Sequence, residues 1–277
     1  MKACNNRDDV YEFIAGIKTS SECYLTNFYP NDAKLDHWTE KGVFYSRNLE
    51  HTVFFFRRDR DFYHLSFCST NGDTLRTSLR EVCESSPDIL VVDLPGQEAN
   101  LKQLVGLFEQ SGFHKYAQYC RLSRLVGRDE ALPTVGGDIV FPEIAEAKTI
   151  SGMLEDAFDH YAEQLPTVDE IVLSIRSNAI TVVREQGSIV GILMRDMAKY
   201  SSLWRFFLVS EGWRGKGVGS RLLNYYFHEC RGKRVTSWVL DINANSLELH
   251  KHCGFAVDPL RDQILINRDN MFCKKNY

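Results

Sequence analysis

Apolar, β-branched and aromatic runs alternate along the chain with stretches whose apolar residues recur at helical spacing. In the first half, strand-like runs at 43–47, 52–57 and 62–68 are divided by tight polar turns, which predicts an antiparallel meander. A helical run at 75–83 follows, then a short apolar strand at 89–94 and an amphipathic helix at 101–110. Ser111-Gly112-Phe113 and a strand at 115–125 close this half. The second half begins with a strand at 139–141 and helical runs at 149–158 and 168–177. Strands at 180–184, 189–194 and 203–209 lead to a glycine-rich turn and a helix at 221–230. A strand at 235–242, a helix at 243–253, the pair Gly254-Phe255 and a last strand at 263–267 complete it. Both halves run meander, helix, strand, helix, Gly-Phe, strand, which predicts an internal duplication. Residues 128–137 combine Gly, Pro and charge without an apolar period and read as a linker. The expected organisation is a domain over 1–127, a linker over 128–137 and a second domain over 138–277, each near the usual domain size.

Composition narrows the class. The chain has 277 residues, 44% hydrophobic and 25% charged, as in a soluble globular protein. A net charge of −4 gives no argument for bulk nucleic-acid binding. Basic residues do gather in sequence around the glycine turn: Arg214, Lys216, Arg221, Arg231, Lys233 and Arg234. No apolar run reaches the ~20 residues of a bilayer span, and residues 1–9 carry no signal-peptide core. No membrane partner is expected. The eight cysteines form no C-x-x-C pair and no zinc-ligand spacing with histidine, so reduced thiols, no metal and a cytoplasmic location are expected.

The chemistry concentrates in Arg214-Gly215-Lys216-Gly217-Val218-Gly219-Ser220, between an apolar strand and a helix. Such a turn brings backbone N–H groups close to an anion and backs them with the positive end of a helix dipole. The glycine order is G-x-G-x-G. It matches neither the dinucleotide fingerprint nor the Walker A loop.

With its flanks, Leu208-Val209-Ser210-Glu211-Gly212-Trp213 and the glycine loop, this segment resembles the acetyl-CoA-binding motif of the GNAT N-acyltransferase superfamily. That pattern is an apolar strand, a turn, an aromatic residue and R/Q-x-x-G-x-G/A. The helix from Asn243 to Phe255 is similar to the family's N-x-x-A-x-x-L-Y-x-x-x-G-F element, with Ser246 in place of alanine and His250 in place of tyrosine. The resemblance implies an α+β fold of two tandem GNAT-like domains, each a mixed, mostly antiparallel sheet flanked by helices. It covers residues 138–270 well and reaches the first half only through element order and Ser111-Gly112-Phe113.

The resemblance implies acetyl-CoA as co-substrate. Its pyrophosphate would lie on Arg214, Gly215, Lys216, Gly217, Val218, Gly219 and Ser220, and its pantetheine arm along Phe207, Leu208 and Val209, with Asn243 also in the cofactor set. His250 holds the position of the family's proton donor, and histidine titrates near neutrality; the alternative is local packing. Arg205 suits an acceptor's carboxylate or phosphate, or equally an ion pair with a protein carboxylate. The family's usual glutamate position is Leu203, which accepts no proton. Glu155, Asp156, Asp159, His160 and Glu170 are the base candidates, each of which also reads as an ordinary helix-face group, and water is a further route. In the first half, 69–74 hold one glycine and no basic residue, and Asp73 would repel a pyrophosphate. No CoA is expected there. The implied function is acetyl transfer to an amine of a small molecule or amino acid. The alternatives are a non-catalytic CoA sensor or scaffold and an aminoacyl-tRNA-dependent transferase. The sequence leaves the oligomeric state open.

Overall fold

The computed structural model describes residues 1–21, 23–29, 31–136 and 139–268. Its contacts separate one unit of Met1–Tyr119 plus residues from Pro259 onward, and a second of Cys120–Asp258.

The first unit holds β1 (Lys2–Ala3), α1 (Arg7–Thr19), β2 (Leu25–Thr26), α2 (Asp32–Glu40), β3 (Phe44–Leu49), β4 (Thr52–Asp59) and β5 (Phe62–Ser69). It continues with α3 (Gly72–Ser85), β6 (Ile89–Gln97), α4 (Glu98–Glu109) and the start of β7 (His114–Leu125). The meander forms as expected. Helices α1 and α2 were not expected, because each buries little: Val10 and Ile17 in α1, Leu35 in α2. Their starts are fixed by polar caps. Asn6 accepts from Asp9 N at 2.9 Å and Asn31 from Lys34 N at 3.2 Å.

The second unit holds β8 (Ile139–Val140), α5 (Ala147–Ala157), α6 (Val168–Arg176), β9 (Ile180–Glu185), β10 (Ser188–Met197) and β11 (Ser201–Val209). Helix α7 (Val218–Glu229), β12 (Arg234–Leu240), α8 (Ala244–His252) and the start of β13 (Ala256–Ile266) follow. The strand order is β1-β3-β4-β5-β6-β13 in the first unit and β8-β9-β10-β11-β12-β7 in the second. The β5·β6 and β11·β12 pairs are parallel, while β1·β3, β3·β4, β4·β5, β6·β13, β8·β9, β9·β10 and β10·β11 are antiparallel. Apolar clusters fill both faces of each sheet.

The units do not divide where composition suggested. From Pro259, the last strand joins the first unit, where Leu260–Ile266 pair antiparallel with Gln97–Val91 of β6. Leu265 is buried in that unit's core. Conversely Cys120, Leu122 and Val126 belong to the second unit's core. Composition marks where a chain is polar, whereas membership of a sheet is decided by strand pairing. Residues 128–136 carry no helix or strand; Gly137 and the expected domain start at 138 lie outside the described residues, as does 269–277. The seven described cysteines are free thiols, and no described helix is long and apolar enough to cross a membrane.

Candidate functional site

The site grows from one strand with two different edges. On one side β11 pairs with β10 along its length, from Met197↔Ser202 to Gly191↔Val209. On the other it pairs with β12 only from Ser201↔Arg234 to Trp204↔Ser237. Beyond Trp204 the two strands part, and among the described residues Arg205 to Val209 keep an edge without a strand partner. Arg205 is where the register breaks: one step on β10, Met194 to Arg195, is matched by two on β11, Phe206 to Trp204. A bulge of this kind bends and twists its strand. Phe207, Leu208 and Val209 thus lie on the open edge. Their side chains also pack against the cores, Phe207 and Val209 on the α7 face and Leu208 on the α5–α6 face.

The glycine turn follows this edge. Glu211–Trp213 form a short 3-10 turn, and Trp213 packs against the core. Gly215 and Gly217 have φ of +72° and +80°, left-handed values that favour glycine. Gly217 is the N-cap of α7, and no side chain caps the helix. The first turn of α7 contains no acidic residue. Gly219 has a different task. A β-carbon there would stand 3.1 Å from Phe207 Cζ, so its bare backbone lets α7 pack on β11. Gly191 on β10 acts likewise beneath Val218 and Leu222. The glycine-turn motif does not include Gly191; a glycine inside a strand pattern is the signal the sequence offers for it.

Of the basic residues clustered in sequence, two remain at the turn. Arg214 Nε donates to Val209 O at 3.2 Å, and Lys216 Nζ stands 4.9 Å from the Trp213 ring centre; both residues are exposed. Arg221 is bound to Glu185 at 2.8 Å. Arg231, Lys233 and Arg234 lie beyond the far end of α7, bonded to Arg128 O and Glu130 O, to Ala198 O, and to Ser123 Oγ. A helix of this length separates its ends by about 18 Å, so closeness in sequence does not make one patch. Exposed N–H donors at an uncapped helix start, with Arg214 and Lys216 beside them, form the donor set a pyrophosphate requires. Ser220 is exposed in the same turn.

Helix α8 begins at Asn243, whose side chain accepts from Ser246 N at 3.0 Å. The carbonyl oxygen of Asn243's side chain therefore serves as a cap. His250 is buried, stacked on Trp204 with ring centres 4.4 Å apart and edge-on to Phe255 at 5.2 Å. Its Nδ1–H donates to Ser246 O at 2.7 Å, and its sealed Nε2 has no hydrogen-bond partner. Burial lowers its pKa, and the bond to the Ser246 carbonyl offsets only part of that. Burial favours the neutral ring, whose Nδ1 proton is directed at the Ser246 carbonyl. This environment does not suit the proton donor expected from the motif position. It suits the packing alternative, in which His250 and Phe255 flank Trp204 where β11 leaves β12.

Arg205 is held by the protein. Its Nε stands 3.9 Å from Asp196 Oδ2 and its Nη2 donates to Gln164 O at 3.3 Å. The second contact ties the α5–α6 connection to the bulge. Of the base candidates, Asp159 is buried and accepts from Tyr161 N at 2.9 Å and Ala162 N at 3.2 Å, which shapes that connection. Glu170 closes a capping box with Thr167 at the start of α6. His160 lies against the Tyr161 ring at 4.1 Å. Glu155 and Asp156 are exposed on α5. Among the described residues no cluster of histidine, cysteine, aspartate and glutamate is arranged to hold a metal.

Residues 148–255 match the model of the acetyltransferase (GNAT) family. Among solved structures, a GCN5-related N-acetyltransferase from Kribbella flavida aligns with TM-score 0.55 and 12% identity over 83% of this chain and 93% of its own. An acetyltransferase from the GNAT family of Colwellia psychrerythraea aligns with TM-score 0.52 and 11% identity over 96% of this chain and 97% of its own. A tandem GNAT protein from the clavulanic acid biosynthesis pathway gives TM-score 0.52 and 13% identity over 78% of each chain. At such identities these likenesses concern the fold, which spans both halves. No curated protein sequence matches the chain.

Proposed function

Residues 148–255 form a domain of the acetyltransferase (GNAT) family, and from that premise we propose that this protein is an N-acyltransferase using acetyl-CoA. One observation carries the reading: an uncapped helix start behind two left-handed glycines stands at the end of a strand edge that lacks a partner beyond Trp204. The pyrophosphate lies on the backbone N–H groups of 215–220, with Arg214 and Lys216 supplying charge. The pantetheine amides pair with the free edge of Phe207, Leu208 and Val209, as in strand addition.

In the reaction the amine nitrogen forms a bond to the thioester carbonyl carbon and the C–S bond breaks. The amine gives its proton to water, and the thiolate takes one up. A backbone N–H of the bulged edge polarises the carbonyl. His250 supplies no proton; it braces Trp204 at the point of divergence. The acceptor is an amine of a small molecule or amino acid. Arg205, through Gln164, shapes the connection facing it, and its guanidinium becomes a direct partner only for an acceptor that displaces Asp196. The free thiols of the described cysteines and the net charge of −4 support, as part of this reading, a cytoplasmic enzyme without membrane or bulk nucleic-acid partners.

A second reading, CoA binding without turnover, is favoured by the sealed, neutral state of His250. Calorimetric titration with CoA and thiol release from acetyl-CoA across an amine panel separate the two. Binding with release supports the transferase. Binding without release across the panel supports the sensor, and no binding removes both.

A further inference from the structure

The first unit has its own divergent strand pair, and it is not empty. Strand β5 pairs in parallel with β6 only from Phe62↔Ile89 to His64↔Val91 and then leaves it, as β11 leaves β12. Its other edge is fully used by β4 in an unbroken register. The edge facing the gap is taken by the chain itself: Leu25↔Ser69 and Thr26↔Cys68 pair antiparallel.

Beyond β2 the occupant works through side chains. Asn27 Oδ1 accepts from Phe67 N at 2.8 Å, while Thr26 Oγ1 donates to Phe67 O at 2.6 Å. Both backbone groups of Phe67 are thereby satisfied. Asn27 Nδ2 donates to Leu65 O at 3.2 Å on β5 and to Asp93 O at 2.9 Å on β6, bridging the gap. Phe28 then enters the core beside Phe44 and Phe55. A secondary amide offers one N–H and one C=O, and the Asn27 carboxamide presents the same groups to this edge.

The neighbouring helix is closed as well. Asn71 Oδ1 accepts from both Asp73 N and Thr74 N at 3.0 Å, so α3 spends its first donors internally where α7 has no side-chain cap. Leu25 Cδ1 comes within 3.9 Å of the place a β-carbon on Gly72 would take. Glycine turn, basic side chains and free donors are all replaced.

We propose that residues 24–28 are a built-in occupant of the first unit's cleft, holding by their own amides the edge that a pantetheine arm would take. This half is an internally liganded copy that binds no CoA. The analogy with pantetheine rests on the CoA reading of the second unit; the occupancy does not.

Hydrogen exchange of the full-length chain, followed by mass spectrometry with and without CoA, tests it. In Asn27→Ala, exchange in 24–28 and 65–69 should rise at least about tenfold, the loss of roughly 1.4 kcal/mol of protection, with 205–209 unchanged. Asn27→Asp keeps the acceptor for Phe67 N but sets a carboxylate against two carbonyls; it should also raise exchange in the same peptides, and it replaces the alanine variant if that fails to fold. In wild type, CoA should protect 205–220 and leave 65–74 unaltered. Unchanged exchange at 65–69 in both variants, or CoA protection of 65–74, overturns the proposal. Absence of CoA binding everywhere overturns the transferase reading alone, because the exchange of 24–28 is read without ligand.

Discussion

Replacing Gly191 with alanine adds one methyl group where the structure has no room for it. Gly191 pairs with Val209 and lies under α7. The new β-carbon would stand 2.6 Å from Val218 Cγ1 and 3.0 Å from Leu222 Cδ1. Carbon atoms prefer separations of about 3.5–4.0 Å, so the contact with Val218 is short by about 1 Å. Val218 is the first residue of α7 and buried. As a β-branched residue in a helix it has little freedom at χ1. Relief therefore requires the start of α7 to move outward from β10. Overpacking of this kind costs about 1–3 kcal/mol, which at roughly 2–4 °C per kcal/mol lowers the melting temperature by roughly 2–12 °C. The same movement displaces the donors of 217–220 from the end of β11, so CoA affinity should fall by about tenfold, equivalent to ~1.4 kcal/mol. Thermal melting and calorimetric titration read the two effects. Gly191→Ala with Val218→Ala should recover part of both losses, since the second change removes the obstructing methyl groups. Gly152→Ala is the control: nothing lies within 4 Å of its β-carbon position in α5, and stability should rise by roughly 0.5–1 kcal/mol. Unchanged melting and affinity in Gly191→Ala would refute the tight packing of α7 on β10.

Other expectations follow from the same geometry. Gly217→Val forces a branched residue into φ +80°, at a cost of roughly 1–2 kcal/mol, and should weaken CoA binding in calorimetric titration, whereas Gly152→Ala should leave it unchanged. His250→Phe should keep CoA affinity and leave turnover within about threefold; a loss of about a hundredfold would restore the general-acid role. Because burial lowers the folded-state pKa of His250, its contribution is fully present above the unfolded value of about 6.5 and is lost as pH falls through the folded value. The melting temperature of His250→Phe should therefore gain on wild type as pH drops below about 6. Asp262 shows the opposite sign. Burial, then Asp93, raises its pKa well above the usual carboxylate value, and its Oδ1 lacks a partner. Its contribution is fully present below about pH 4 and is lost as pH rises through the folded value. Asp262→Asn should be more stable than wild type at neutral pH, and equal melting curves from pH 4 to 8 would contradict this.

Much of the fold was legible because local rules governed it. The meanders, α3, α4 and the second unit's helices follow from periodicity, and the glycine turn from its spacing. Helices α1 and α2 escaped because their few buried residues leave hardly any stripe, and β2 because two residues carry no period. The three glycines of the turn were legible as a motif but not as separate roles. Left-handed φ at Gly215 and Gly217 is a property of the folded backbone, and the close packing at Gly219 emerges only when Phe207 is placed opposite.

By itself the sequence determined that an apolar strand, a glycine-rich turn and a helix follow one another in the second half, and that the corresponding turn of the first half lacks those glycines and basic residues. Those properties depend on residues adjacent in the chain. Tertiary structure alone decided the rest. It sealed His250 against Trp204, where desolvation lowers its pKa. It paired Arg205 with Asp196 and sent Arg231, Lys233 and Arg234 to the far end of α7. It also placed Leu260–Ile266 on β6 and Asn27 between β5 and β6. Each of these is a contact between distant segments, and the free energy of a buried charge or a strand edge depends on what packing brings to it.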